Sequence, residues 1–175
     1  FLEGTLTTLA NNSTLRLAVQ NDVIIRGNIN ALGNNSGVIL QSDKWVYVEG
    51  FIKATQFVKI YGGVSEAGAN LNGANDRGAS VYVHTTSRVI TSAAGSSIDV
   101  RGGQDVELYG AMVAGGVIGA TGVDFNAPGA SVYAEAGQQL WIETGLLASG
   151  RVEVKGGTPG LDDLNLVGDP LGLYI

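Results

Sequence analysis

The acidic side chains of this sequence are its first candidates for chemistry, because each lies in or beside a short segment of alternating apolar residues. The five are Glu49, Asp99, Glu107, Glu143 and Glu153, and basic residues stand near several of them at Lys59, Arg101 and Lys155. Carboxylates that converge with a basic residue on one outer face could cleave a polysaccharide. The alternative is that they are solvated strand faces with charge pairs between strands. We favour this second, non-enzymatic interpretation.

Metal and histidine chemistry have weaker support. His84 is the only histidine, and the chain has no cysteine to serve with it as a ligand or nucleophile. Calcium prefers hard oxygen ligands, which two Gly-rich segments offer at Asn72, Asn75, Asp76, Asp124 and Asn126. Neither an EF-hand loop nor a Gly-Gly-x-Gly-x-Asp array occurs, however. We predict no metal site and no cofactor, with a calcium-stabilised module as a third interpretation.

The aromatic residues are the strongest candidates for an interaction surface. They are Trp45, Tyr47, Tyr61, Tyr82, Tyr109, Tyr133 and Trp141. By alternation most point away from the core, with Tyr82 and Tyr133 in matching positions and Ile39 aligned with them. Such a ladder can stack for stability, bind sugars or pack against protein. Because only 15% of the residues are charged, we favour packing against protein.

Short strands must position these side chains. Triplets such as Val46-Tyr47-Val48, Val81-Tyr82-Val83 and Val106-Glu107-Leu108 place two aliphatic residues on one face and a different residue on the other. Glycines and double glycines separate the triplets and allow the chain to turn a corner every few residues. No segment has a convincing helical period. The pattern predicts an all-β fold.

Internal similarity indicates how these strands are arranged. GASVYV at Gly78–Val83 recurs as GASVYA at Gly129–Ala134, and the segments Gly37–Gly63 and Ser131–Gly157 are equal in length and similar in pattern. The spacing of 23 residues from Gly27 to Gly50 suits one turn of a coil with three strands and three corners. We predict a right-handed parallel β-helix (β-solenoid) of about seven coils. An immunoglobulin-like sandwich is the alternative.

Two segments interrupt the pattern at Val64–Arg77 and Val117–Pro128. Both follow a double glycine and precede a GASVY segment, so we expect them to lie side by side on one face, where a solenoid commonly meets a partner. The prediction is a single domain over residues 1–175 with inserted loops near 64–77 and 117–128. The chain also reads as processed or as a segment of a longer one.

The glycine-bounded coils resemble those of the filamentous-haemagglutinin-like adhesins and related large bacterial exoproteins, over roughly Leu15 to Gly157. Gly27-Asn28-Ile29-Asn30-Ala31 and Gly50-Phe51-Ile52-Lys53-Ala54 carry this resemblance, together with Gly110-Ala111-Met112-Val113-Ala114. It implies an exported, elongated and non-enzymatic protein that serves in adhesion or in surface filaments.

Charge and hydropathy exclude some partners. A net charge of −6 leaves no basic stripe for nucleic acid, and no apolar run approaches the roughly 20 residues of a membrane-spanning helix. Leu164–Ile175 is apolar, and an open solenoid end offers unpaired backbone groups to another strand. We therefore predict an extracellular or cell-surface structural or adhesive protein that self-associates into a filament or sheath. A carbohydrate-binding or polysaccharide-degrading β-helix is the alternative.

Overall fold

The computed structural model describes residues 1–65 and 80–157, together with a strand at Gly172–Tyr174. Within these residues the chain forms β-strands and turns and contains no helix, so no described helix is long and apolar enough to cross a membrane.

The strands are short, and their bounds follow the alternating apolar segments. In chain order they are β1 (Thr5–Thr8), β2 (Thr14–Val19), β3 (Val23–Ile25), β4 (Asn28–Ala31), β5 (Gly37–Ser42), β6 (Val46–Val48), β7 (Phe51–Ala54), β8 (Phe57–Gly62), β9 (Val81–Val83), β10 (Arg88–Thr91), β11 (Ser97–Gly102), β12 (Val106–Leu108), β13 (Ala111–Ala114), β14 (Gly116–Gly119), β15 (Gly122–Phe125), β16 (Ser131–Ala136), β17 (Gln139–Ile142), β18 (Leu146–Ala148), β19 (Arg151–Lys155) and β20 (Gly172–Tyr174).

Three parallel sheets of six strands each take up all but two of these strands. Sheet A has the order β3-β6-β9-β12-β17-β20, sheet B the order β1-β4-β7-β10-β13-β18, and sheet C the order β2-β5-β8-β11-β16-β19. The chain visits the three sheets in turn and adds one strand to each on every round. This confirms the predicted all-β, solenoid-like repeat fold, and the parallel pairing differs from the antiparallel pairing of an immunoglobulin-like sandwich.

The core lies between the three sheets and consists of aliphatic side chains from all of them. Parallel pairing places an inward residue of one strand directly over an inward residue of the next. One column per sheet illustrates this: Val46, Val81 and Val106 in sheet A; Ile29, Ile52 and Val89 in sheet B; Val38, Val58 and Ile98 in sheet C. All of these are buried, as the alternating pattern requires.

The predicted coil length of 23 residues is found between several neighbouring strands, including β4 and β7, whereas the register of β5 with β8, Gly37 opposite Phe57, makes that coil shorter. Ile29 pairs with Ile52, and Asn30 pairs with Lys53, in adjacent strands of sheet B. The segments that begin at Gly37 and Ser131 also occupy equivalent positions in their coils, since both begin with a strand of sheet C.

The predicted equivalence of the two GASVY segments is wrong. Tyr82 lies in β9 of sheet A, whereas Tyr133 lies in β16 of sheet C, with Ile39 in the same sheet as Tyr133. Each segment contains the first strand of the three large sheets after an insertion. The first insertion leads into sheet A, however, and the second leads into sheet C. All three sheets require the same alternation of inward apolar and outward residues. Two segments of similar sequence can therefore form strands of different sheets.

The two insertions accordingly do not occupy equivalent corners. The first joins β8 of sheet C to β9 of sheet A, and most of it lies outside the described residues. The second joins β13 of sheet B to β16 of sheet C and forms an antiparallel hairpin of β14 and β15. The two segments therefore leave the coils at different corners, while residues 66–79 of the first lie outside the described part of the chain. The expected juxtaposition of the loops stays a prediction.

Glycine is required at the corner between sheets A and B because successive coils approach closely there. The Ile25 carbonyl oxygen accepts hydrogen bonds from the backbone N–H groups of both Glu49 and Gly50, at 2.7 and 3.1 Å. A Cβ atom on Gly50 would overlap the carbonyl oxygen of Gly27, and one on Gly27 would overlap that of Gly4. These overlaps are with backbone, which cannot move without disturbing the coil below.

We expect Gly50→Ala to lower the free energy of unfolding by about 2 kcal/mol or more, as overpacking in a rigid site does. The matched control is Gly145→Ala, where a Cβ atom would meet only Leu147 side-chain atoms, the nearest at 3.4 Å. This second change should stay within about 0.5 kcal/mol of wild type. Urea unfolding monitored by circular dichroism measures both. Equal losses would contradict the close approach at the corner.

Candidate interaction surfaces

The outer face of sheet A carries a ladder of aromatic rings. Tyr47 pairs directly with Tyr82 in the next strand. The rings of Trp45 and Tyr47 stack with centroids 5.2 Å apart and planes inclined by 15°. Tyr82 follows at 5.8 Å from Tyr47, and Tyr109 at 5.4 Å from Tyr82. Four of the seven predicted aromatic residues thus form one continuous surface, to which the outward-facing Trp141 of the same sheet is added.

A shallow cavity of about 170 Å³ adjoins this ladder. It is lined by Asp105, Glu107, Tyr109, Gln139 and Trp141. The Tyr109 hydroxyl donates a hydrogen bond of 3.1 Å to Glu107 Oε2, and Trp141 Nε1 donates one of 2.9 Å to Glu143 Oε1. The site therefore presents ring faces beside carboxylates whose orientation is fixed.

Burial and negative charge raise the pKa of two tyrosines of the ladder, Tyr47 and Tyr109. Burial, followed by the hydrogen bond and the charge of Glu107, raises the pKa of Tyr109 from 10.0 to about 12. Burial also raises the pKa of Tyr47, with smaller contributions from the charges of Asp22 and Glu107. The hydroxyl groups of Tyr47 and Tyr109 therefore remain hydrogen-bond donors over the physiological range of pH.

Sheet C holds the other two predicted aromatic residues in a different environment. Tyr61 is 1% exposed and donates a hydrogen bond of 2.8 Å to Asp99, so its inclusion in an exposed interaction surface is wrong. Tyr133 donates a hydrogen bond of 2.7 Å to Glu135. The Arg101 guanidinium lies over both rings, at 5.8 Å from Tyr61 and 5.1 Å from Tyr133. These side chains stabilise the face by contacts with one another.

Every candidate catalytic carboxylate has a local partner, and the five do not converge. Glu49, Glu107 and Glu143 lie on or beside strands of sheet A, whereas Asp99 and Glu153 lie in sheet C. The partners are Arg26 for Glu49, Arg101 for Asp99, Tyr109 for Glu107, Trp141 for Glu143, and Arg151 and Lys155 for Glu153.

Most of these contacts join residues two positions apart along one strand rather than residues of neighbouring coils. Asp99 with Arg101 and Glu107 with Tyr109 are examples. Side chains two positions apart in a strand share a face at roughly 7 Å, a distance that long side chains bridge. Arg26 and Glu49, 23 positions apart, form the kind of pair between coils that the sequence suggested.

The histidine and the calcium candidates acquire no further ligands in the described part of the chain. The Nδ1 atom of His84 lies 2.9 Å from the hydroxyl of Thr86. Asp124 and Asn126 belong to the hairpin segment, while Asn72, Asn75 and Asp76 lie outside the described residues. Among the described residues no group of three acidic or histidine side chains could hold a metal ion.

Sheet B carries a second surface, which the sequence interpretation did not identify. A groove of about 310 Å³ crosses its outer face and is lined chiefly by Asn28, Asn30, Phe51, Lys53, Arg88 and Ile90. Phe51 is 47% exposed, and the Arg88 guanidinium lies 6.0 Å from the centre of its ring. This surface combines two cations, two amides and an exposed ring.

A signal for part of this surface was present in the sequence. Gly27-Asn28-Ile29-Asn30-Ala31 and Gly50-Phe51-Ile52-Lys53-Ala54 align, so their outward positions could have been recognised as neighbours. Arg88 gave no such signal, because Ser87 stands where those segments have glycine and an insertion separates it from Phe51.

Comparison of the chain with family models, with curated proteins and with solved structures found no match. The interaction surfaces are therefore interpreted from their own chemistry.

The raised pKa of Tyr109 predicts a pH dependence. Because the folded state holds the proton more tightly, the stabilisation is present below pH 10.0 and is lost as the pH rises towards about 12. The ultraviolet absorbance of tyrosinate, compared between wild type and Tyr109→Phe, should show a group that titrates near pH 12 in the folded protein.

Glu107→Gln should lower the pKa of Tyr109 only part of the way, since burial is the largest cause of the shift. Glu153→Gln on sheet C removes the same charge at a distant position and should leave it unchanged. Titration of Tyr109 near pH 10 in the wild-type protein would contradict the geometry of this contact.

Proposed function

We propose that this protein is a non-enzymatic structural or adhesive β-solenoid of the cell surface or extracellular space, which self-associates into a filament or sheath. The observation that carries the proposal is the aromatic ladder of sheet A. Large rings aligned across several coils provide contact area at a low cost in conformational entropy. In finer detail, we propose a right-handed solenoid of about seven coils, in keeping with the handedness of nearly all parallel crossover connections.

The state of the carboxylates supports binding rather than catalysis. An acid–base pair for glycosidic cleavage needs two carboxyl groups that flank one bond. Here Glu107 and Glu143 accept hydrogen bonds from Tyr109 and Trp141, and Asp99 is paired with Arg101. These contacts hold the outward side chains in one arrangement, as expected of a surface that binds another protein permanently.

The solenoid ends are the second part of the proposed assembly. In the described part of the chain, β1 and β2 each have a neighbouring strand on one side only, whereas Ile25 of β3 also forms a backbone bridge with Leu2 on its other side. Strands exposed in this way can pair with strands of another molecule. Contacts of this kind that do not close into a ring generate filaments.

Self-association tests the proposal. Wild-type protein should associate as its concentration rises in sedimentation velocity and form elongated particles in electron microscopy. The double variant Tyr82→Ala/Trp141→Ala should weaken association by about tenfold or more, because buried Tyr and Trp side chains dominate interfaces. Phe125→Ala removes an exposed ring of the hairpin and is the matched control. Wild-type protein that stays monomeric at the highest attainable concentration would contradict the proposal.

Carbohydrate binding at sheet A is a second candidate, favoured by the cavity beside Tyr109 and Trp141. Ring faces stack on sugars, and oriented carboxylates accept hydrogen bonds from sugar hydroxyl groups. Trp141, 38% exposed, is the accessible ring of this cavity.

Binding to a panel of immobilised neutral glycans tests this candidate. Trp141→Ala should abolish any binding seen with wild type, whereas Tyr133→Ala, on sheet C, should leave it unchanged. Equal loss in the two variants, or no binding by the wild-type protein, would count against a sugar site on sheet A.

A further inference from the structure

The groove of sheet B is formed by outward positions of three neighbouring strands. Asn30 of β4 pairs with Lys53 of β7, and Phe51 of β7 pairs with Arg88 of β10. Lys53 in turn pairs with Ile90. Two cations, an aromatic ring and an amide are thus held on adjacent strands of a sheet whose inward side is buried. Their backbone positions are fixed before any ligand binds.

The charge of this groove is positive and uncompensated. Lys53 and Arg88 are exposed, and neither has an ion pair in the described part of the chain. The described strands of sheet B contain no acidic residue. By contrast, the basic side chains Arg26 and Arg101 are paired with Glu49 and Asp99. The two cations of the groove therefore remain available to an anion.

The uncharged side chains of the groove narrow the class of anion. Phe51 presents an exposed ring, which suits the C–H face of a sugar. Asn28 and Asn30 each carry amide donors and a carbonyl acceptor, which suit hydroxyl groups. The Asn30 Nδ2 group also donates a hydrogen bond of 3.3 Å to the Thr7 hydroxyl. Arg88 can bind a carboxylate or sulfate through two parallel hydrogen bonds, and Lys53 adds a second positive charge.

We propose that the outer face of sheet B binds an anionic saccharide, one whose sugar rings carry carboxylate or sulfate groups. The groove of about 310 Å³ lies within the range of small-ligand sites. This site is separate from the aromatic ladder of sheet A, so it does not depend on self-association or on neutral-sugar binding there. With a net charge of −6, the chain as a whole repels polyanions, and affinity must come from this local surface.

The test uses the full chain, three soluble polysaccharides (polygalacturonate, dextran sulfate and neutral dextran) and polyglutamate as an acidic polypeptide. Isothermal titration calorimetry should detect binding of at least one charged polysaccharide and none of neutral dextran. Carboxylate and sulfate are distinguished by which charged polysaccharide binds. The double variant Lys53→Gln/Arg88→Gln should weaken binding by about tenfold or more, the loss expected from removing charge-assisted hydrogen bonds.

The matched control is Arg151→Gln/Lys155→Gln, which removes two cations from sheet C, where both contact Glu153. It should retain the wild-type affinity. Phe51→Ala should also weaken binding, without a change in net charge. All of these positions are exposed, so circular dichroism should show unchanged folding.

Three results would overturn the proposal. The first is an absence of binding by wild-type protein to both charged polysaccharides. The second is an equal loss of affinity in the sheet B and sheet C double variants, which would show non-specific attraction. The third is binding of polyglutamate with the same affinity as the charged polysaccharides, together with no effect of Phe51→Ala. That result would identify an acidic peptide as the ligand. Monomeric protein that still binds a charged polysaccharide would reject self-association and retain this site.

Discussion

The parallel register between successive strands is the constraint on which the whole structure depends. Each backbone ladder fixes a residue directly above one residue of the coil below, as Ile52 lies above Ile29. An inward position is therefore apolar in most coils, because an unpaired polar group there would be desolvated by two neighbours as well as by the opposite sheets. Thr91, buried between Ala54 and Ala114, is polar and accepts a hydrogen bond from the Ser96 hydroxyl at 2.9 Å. The glycine corner has the same origin. Coils that stack at the interstrand distance of roughly 4.8 Å bring backbone against backbone at Gly27 and Gly50.

The same register makes the outer faces into functional surfaces. Outward side chains of successive coils are as closely stacked as inward ones, but solvent permits any residue type there. In sheet A most outward positions carry rings, and Tyr82 contacts both Tyr47 and Tyr109. Glu107 is the outward residue between Tyr82 and Trp141. In sheet C they have become a network of ions and tyrosine hydroxyls. One backbone arrangement thus supports three chemically different faces, with sheet B the cationic one.

The sequence was sufficient to predict the strands, the coils and the inward residues, which follow from the regular register. It was not sufficient to predict which sheet each strand joins after an insertion. Alternation at Val46-Tyr47-Val48 and the spacing from Gly27 to Gly50 were sufficient to predict strands, coils and the inward residues. The sheet to which a strand belongs depends on how many residues separate it from its neighbour in space. Insertions change that number without changing the local pattern. Tyr82 and Tyr133 therefore looked equivalent although they lie in different sheets.

The hairpin of β14 and β15 shows why insertions leave the solenoid intact. The strand before it, β13, and the strand after it in the same sheet, β18, remain in register, with Met112 paired to Leu146. The hairpin pairs with itself, Val117 with Asp124 and Ile118 with Val123, and thereby satisfies its own backbone groups. A corner can consequently accept such a segment without a change in the coils above and below. Whole segments can therefore be inserted at a corner, whereas the outer face of a sheet is altered by substitution of single side chains. Arg88 illustrates the second route, since its place in the sheet B groove requires only that β10 pair with β7.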